Sequence, residues 1–296
     1  SWVPSWEALS SDERRLFARM MEVYAGFMTH TDAQIGRLVD FIEKLGELDD
    51  TLLILMSDNG ASAEGGLKGS FNEAFFFNMV PESLEENLRR IDDLGTPRAH
   101  NHYPWGWAWA GNTPLKRFKR DTHEGGVCDP LIVHWPARLG RTGQTRHQYV
   151  HVVDIAPTIL DLLGVEPPAQ LAGVVQAPIH GTSFAHTFAD ASAASRHVTQ
   201  YYEMIGSRAI YHDGWKAVVH HPARAAVYDG TDVSKPFEDD VWELYHVAED
   251  FSEIHDLAAA QPEKLAELQA LWWKEAERHQ VLPLNNQPGR FGDQRF

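Results

Sequence analysis

The chain has a single cysteine, Cys128, among 296 residues. That count excludes an internal disulfide and a cysteine-built zinc cage. Positive charge is also scarce, with 26 lysines and arginines against 42 aspartates and glutamates, a net charge of −16. A surface of that sign repels a phosphate backbone, so nucleic acid is excluded as a partner. No apolar run approaches the roughly 18 residues of a membrane-spanning helix. The first residues, Ser1-Trp2-Val3-Pro4, include no initiator methionine and lead into no signal-like apolar core, and are read as starting inside a larger polypeptide. With 43% hydrophobic and 23% charged residues, the chain is neither disordered nor collagenous in composition and is long enough to bury a large core.

Helical and strand patterns alternate in the first two-thirds. Ser10 and Glu13 have the spacing of a capping box, and Leu16, Phe17, Met20, Met21, Tyr24, Phe27 and Met28 follow at helical spacing. Ile35, Leu38, Val39, Ile42 and Leu45 prolong that face, with Gly46 as the expected stop. Leu52 to Met56 predicts a strand buried on both faces, as inside a parallel sheet. Residues 61 to about 113 read as a long irregular stretch with one helical candidate, Ser83 to Ile91, and such stretches are usually functional. Leu131 to Trp135 predicts a second buried strand, and Ile155 to Leu163 a helix with Pro157 in its first turn and Gly164 as its stop. After about residue 190 the texture becomes antiparallel: Arg208–His212 and Trp215–His220 flank Asp213-Gly214, a strong hairpin signal. Trp242 to Tyr245 predicts another strand, and Pro262 to Arg278 a closing amphipathic helix. Residues 1–189 are therefore expected to form an α/β portion and 190–296 a small antiparallel sheet with a helix.

Two runs carry candidate chemistry. Ser57-Asp58-Asn59-Gly60 directly follows the first strand, and its carboxylate and amide oxygens suit a hard cation such as Ca²⁺ or Mg²⁺. Strand carboxyl ends are also where α/β sheets collect ligands, although Asp-Asn-Gly is equally a good turn. The second run, Asn112 to Gly126, gathers Lys116, Arg117, Lys119 and Arg120 in an otherwise acidic chain. An anionic substrate would need such local charge, and a solvated basic loop is the plainer reading. His123 beside it is either an acid–base group or a packing residue. Tyr103, Trp105, Trp107 and Trp109, spaced every two residues, suit either a pocket wall or one face of a packed strand.

These runs and others, in order along nearly the whole chain, resemble the type I sulfatase family, bacterial arylsulfatases in particular. The similar segments are Asp32–Arg37, Leu48–Thr51 leading into Ser57–Gly60, Asn101–Ala108, Lys119 through Glu124-Gly125-Gly126, Asp154–Thr158, and Trp242–Tyr245 before Asp256-Leu257. The resemblance covers the C-terminal two-thirds of such a protein. It implies an alkaline-phosphatase-like α/β/α sandwich lacking its N-terminal part, followed by the antiparallel subdomain. It also implies that Asp58 and Asn59 hold one divalent cation, Ca²⁺ ahead of Mg²⁺, and that Lys119 contacts the sulfate and leaving-group oxygens. Lys116 would take that role if the loop alignment slipped by three residues.

The departures are specific. The family's nucleophile is a formylglycine made within Cys/Ser-x-Pro-x-Arg, and Cys128-Asp129-Pro130-Leu131-Ile132 ends in Ile and follows the Glu-Gly-Gly. The family's second pair of metal carboxylates has no counterpart either. Asp49-Asp50 lies at the wrong end of its strand, and Asp92-Asp93 and Asp239-Asp240 lack a strand-end context. The expected activity is hydrolysis of small sulfate monoesters, aryl sulfates first, by the intact protein, with the formylglycine outside this chain and the chain alone inactive. The rivals are a phosphodiester or phosphonate hydrolase of the same superfamily and a non-catalytic binding fragment. Oligomeric state stays open, and so does the compartment, periplasmic or cytoplasmic.

Overall fold

The structure, a computed structural model, describes residues 3–78, 80–140, 143–222 and 235–286, so Ser1 and Trp2 of the opening run lie outside it. The order of elements is α1 (Ser11–Lys44), β1 (Leu53–Met56), α2 (Glu73–Phe77), α3 (Leu84–Arg89), α4 (Trp105–Asn112), α5 (Glu124–Val127), β2 (Leu131–His134), α6 (Pro136–Leu139), α7 (Ile155–Leu163), β3 (Gln170–Leu171), β4 (Val174–Val175), α8 (His186–Ala189), β5 (Thr199–Met204), β6 (Ser207–His212), β7 (Trp215–Val219), β8 (Glu243–His246) and α9 (Pro262–Arg278). Helix α1 starts at the expected capping box, where the Glu13 amide donates to Ser10 Oγ and the Ser10 amide donates to the Glu13 carboxylate. It continues unbroken through both apolar segments. Its first turns bury Leu16, Phe17 and Met20 against Phe71, Leu94, Tyr103, Trp105 and Ala108, the first core.

The aromatic run folds as helix α4, which corrects the strand reading of its two-residue alternation. Trp105 and Trp109, four apart, both meet the Phe118 ring, while Trp107 turns to α1 and donates from Nε1 to the Phe17 carbonyl at 3.0 Å. Small residues between the tryptophans let one helix pack on two sides. Trp105 Nε1 donates to the Ala63 carbonyl at 2.6 Å, so this ring is core and not pocket wall.

The expected buried parallel strand is also corrected. β1 pairs antiparallel with β2, Leu53 opposite His134 and Met56 opposite Leu131, and these two strands form their own sheet among the described residues. Leu55 is 44% and Ile132 57% exposed. An apolar run reports that a strand can be covered; it does not fix its neighbour's direction or how many faces are covered here.

The C-terminal sheet has the order β5-β6-β7-β8, antiparallel throughout. Asp213 and Gly214 both have positive φ, 47° and 82°, as a two-residue hairpin turn requires. Helix α9 lays Leu268, Trp272 and Ala276 on Ile210, Ala217 and Leu244, a second core. Each of these residues is fully buried, and burying one large apolar side chain stabilises by roughly 1.5–3 kcal/mol.

Candidate functional site

β1 delivers the chain into the Asp58-Asn59 turn, which is fastened to the entry of β2. The Ser57 amide donates to the Pro130 carbonyl at 3.2 Å, and Ser57 Oγ donates to the Asn59 carbonyl at 2.9 Å. Asp58 is exposed and Asn59 half-buried. Asn59 Nδ2 donates to the Gly60 carbonyl at 3.0 Å, so the oxygen a hard cation would take, Oδ1, is not the atom spent in the turn. Asp129 lies beside it. Burial first, then the neighbouring carboxylates of Asp58 and Glu124, push its pKa up to about 6. Asp129 thus feels the negative charge of both Asp58 and Glu124. Asp58 and Asn59 fit a divalent cation as two oxygen donors. They do not complete a cage, because the described residues contain no group of three or more His, Cys, Asp or Glu able to hold a metal.

The turn is stitched directly onto the basic loop. Gly60 donates its amide to the Gly126 carbonyl at 3.4 Å, and Lys119 donates its amide to the Ala61 carbonyl at 3.1 Å. Asn112, at the end of α4, is the pivot. Its Oδ1 accepts from the Ala61 amide at 3.1 Å, and its Nδ2 donates to the Arg117 and Gly125 carbonyls at 2.9 and 2.6 Å. The approach is so close that a Cβ on Gly60 would stand 1.7 Å from the Gly125 oxygen, and one on Gly126 2.1 Å from the Asp121 oxygen. Arg117 and Arg120 hold left-handed backbones, φ 65° and 74°, on either side of Phe118 and Lys119. Such conformations cost roughly 1–3 kcal/mol each and persist where surrounding contacts impose them.

Every basic side chain of the loop meets a carboxylate. Lys119 Nζ lies 2.9 Å from Glu64 Oε2, and Arg120 Nη2 lies 2.5 Å from Glu64 Oε1. Burial works to raise the Glu64 pKa, but these two cations outweigh it and hold the carboxyl below its usual value. Lys116 points the other way, 2.5 Å from Glu243 Oε2 and 2.8 Å from the Tyr245 hydroxyl, both on β8. Lys116 thus turns to the C-terminal sheet, whereas Lys119 turns to Glu64 on the loop that follows the Asp58-Asn59 turn. Arg117 pairs with Asp121 at 3.3 Å.

His123 is fully buried between two carboxylates. Nδ1 is 2.6 Å from Asp121 Oδ1, and Nε2 is 3.4 Å from Glu243 Oε2. Burial disfavours its charge, yet Asp121 and Glu243 outweigh burial and raise its pKa. Asp121 moves the opposite way: against burial, Arg117, His123 and His220 hold it well below the carboxylate range. Lys216 of β7, also buried, reaches Glu124 at 2.6 Å and Glu253 at 3.1 Å. The loop that carries Lys119 is therefore clamped by the C-terminal sheet.

Sequence reading brought Asp58, Asn59, Lys119 and the double glycine to one place. It missed Glu64, Asn112, Asp121, Lys216, Glu243 and Glu253. Asn112 and Asp121 had a faint signal as members of the basic run, and Glu243 as a member of the Trp242–Tyr245 segment; Lys216 had none, because only strand register brings it opposite Tyr245. The remaining acidic pairs stay elsewhere. The Asp49 carbonyl caps the Ala137 amide, Asp93 pairs with Arg90 and Arg98, and Asp240 is buried with Arg208 and His221.

Comparison with known proteins agrees with this architecture. The sulfatase family model matches residues 4–165, and the model for the N-sulphoglucosamine sulphohydrolase C-terminal region matches residues 116–281. The chain belongs to the sulfatase family. It is 30% identical over 270 residues to an uncharacterized sulfatase of Schizosaccharomyces pombe, covering 90% of this chain and 45% of that protein. It is 29% identical over 179 residues to an arylsulfatase of Klebsiella aerogenes, covering 60% of this chain and 37% of that one. Among solved structures, Ps i-CgsB superimposes with a TM-score of 0.56 at 20% identity, covering 96% of this chain and 47% of that chain. The fold is thus the alkaline-phosphatase-like α/β fold, with the small antiparallel sheet and helix at its C-terminal end. The chain spans less than half the length of these relatives, which corrects the expected two-thirds.

Proposed function

We propose that the protein to which this chain belongs hydrolyses sulfate monoesters, and aryl sulfates in particular. The observation that supports this best is the direct stitching of the Asp58-Asn59 turn to the Lys119 loop through Gly60, Ala61 and Asn112. It joins the backbone that carries two hard oxygen donors to the backbone that carries Lys119. Asp58 and Asn59 would hold a divalent cation, Ca²⁺ ahead of Mg²⁺, which when bound offsets the charge of the sulfate. Lys119 would donate a hydrogen bond to the ester or sulfate oxygens as negative charge develops there. The nucleophile, a formylglycine in the family, belongs on this reading to a part of the protein outside these 296 residues. The aryl preference rests on similarity to the Klebsiella arylsulfatase.

The test is turnover of 4-nitrophenyl sulfate and of 4-nitrophenyl phosphate by the 296-residue chain and by a longer form carrying the Cys/Ser-x-Pro-x-Arg segment. The longer form should cleave the sulfate faster than the phosphate, and Lys119→Ala in it should lose about 100-fold or more in kcat. The chain alone should be inactive. A phosphate preference in the longer form would replace the sulfatase reading with the phosphoester one, and turnover by the purified short chain would refute the division of the site.

A further inference from the structure

Glu64 occupies a position that the reaction as written does not use. It lies five residues past Asn59, on the same loop, and its side chain is only 11% exposed. Both oxygens are engaged by the basic loop: Oε2 takes Lys119 and also Ser62 Oγ at 3.1 Å, and Oε1 takes Arg120. The neighbouring residue, Ala63, is buried and its carbonyl accepts the Trp105 indole, which fixes the base of this carboxylate to the first core. One short loop therefore carries the Asp58-Asn59 turn at one end and the clamp on Lys119 at the other.

We propose that Glu64 is a positioning residue for Lys119. It acts through the ammonium, setting where Nζ stands relative to the Asp58-Asn59 turn before a sulfate arrives. Lys119 ends in a flexible four-carbon stem, and its own backbone bond to Ala61 fixes only the Cα end. A carboxylate at 2.9 Å removes the remaining freedom, which is the kind of advance ordering that a charge-stabilising group requires. The Arg120 bond to the other oxygen stops the carboxylate from rotating away. This proposal rests on the reading of Lys119 as the sulfate contact.

Competitive acetylation of the 296-residue chain, read lysine by lysine by mass spectrometry, tests the two claims separately. Exposed Lys44 serves as internal reference. In the unaltered chain Lys119 should react slowly and be slowed further by sodium sulfate, relative to sodium chloride of equal ionic strength. Glu64→Gln should raise the Lys119 rate about fivefold, the loss of one partly buried ion pair, and should abolish the protection by sulfate. Glu64→Asp keeps the charge on a shorter arm and should recover part of both effects, which a general loosening of the fold would not do. An unchanged Lys119 rate in Glu64→Gln overturns the proposal. So does a raised rate with sulfate protection intact, since Glu64 would then be a counter-ion without a positioning role. If sulfate protects nothing in the unaltered chain while Glu64→Gln still raises the rate, the sulfate reading of Lys119 fails and the clamp stands.

Discussion

At Gly60 and Gly126 the reason for glycine is contact distance. A methyl group at Gly60 would overlap the Gly125 carbonyl at 1.7 Å, and both partners are backbone, so neither can rotate aside. Gly60→Ala should therefore destabilise the chain by about 1–3 kcal/mol, the usual cost of overpacking. It should also part the Asp58-Asn59 turn from the Lys119 loop. Urea unfolding checks the first effect, and the second appears as faster amide exchange at Lys119, whose donor bond to Ala61 would open. Gly26→Ala, on an open face of α1, should do neither. At Asp58 the expectation is electrostatic. Asp58→Asn keeps an oxygen donor but removes its negative charge, and calcium titration followed by calorimetry should register weaker binding than in the unaltered chain. The aspartate, the asparagine and the lysine stood out as candidates because their types and their spacing from a strand or from the double glycine suggest chemistry of their own. Glu64 was not, since a glutamate in an irregular stretch gives no sign of which of its neighbours it will clamp.

Among elements, local signals read well and long-range ones poorly. The capping box of α1, the Asp-Gly hairpin between β6 and β7, the left-handed stop at Gly164 and the span of α9 all follow from residues within a few positions of one another. The aromatic run misled because alternation over seven residues cannot distinguish a strand face from a two-sided helix. The bond between the basic loop and β7–β8 was invisible for a different reason: Lys116 and Glu243 are 127 residues apart. That junction has a predictable pH dependence. His123 has its pKa raised above the ordinary 6.5 in the folded chain. Its contribution is therefore complete below about 6.5 and is lost as pH climbs through the raised value. Asp121 is lowered from the ordinary 3.8, so its contribution is present above that value and is lost as pH falls through the depressed one. Stability from this cluster should be greatest between the two limits. Urea midpoints measured from about pH 5 to about pH 9 should decline on the alkaline side by the equivalent of about 1.4 kcal/mol for each unit by which His123 is raised. His123→Gln should flatten that limb, and an unchanged slope in the variant would assign the alkaline loss to other groups.

The whole molecule has two well-covered regions and one uncovered flank. The first core seals the start of α1, and the second seals the C-terminal sheet beneath α9. Beyond Met20, however, α1 has no fully buried residue, although it runs on to Lys44, for a total length of about 50 Å. Phe27 is 63% and Phe41 59% exposed, with Met28 and Leu38 exposed on the same long helix, Leu45 just past its end, and Leu55 and Ile132 exposed on the β1–β2 pair. The helical spacing that made these positions look like core is real, and within this chain nothing among the described residues covers them. Several large apolar side chains exposed along one helix favour association over solvation. The chain should accordingly self-associate with rising concentration, seen as a weight-average sedimentation coefficient that grows across a dilution series. The triple substitution Phe27→Glu, Leu38→Glu and Phe41→Glu should return it to a concentration-independent monomer without lowering its urea midpoint by more than about 0.5 kcal/mol per site, because none of the three is buried in either core. A chain that already sediments as a monomer at every concentration would show that this flank is tolerated in water. The apolar spacing of α1 would then say nothing about what it packs against.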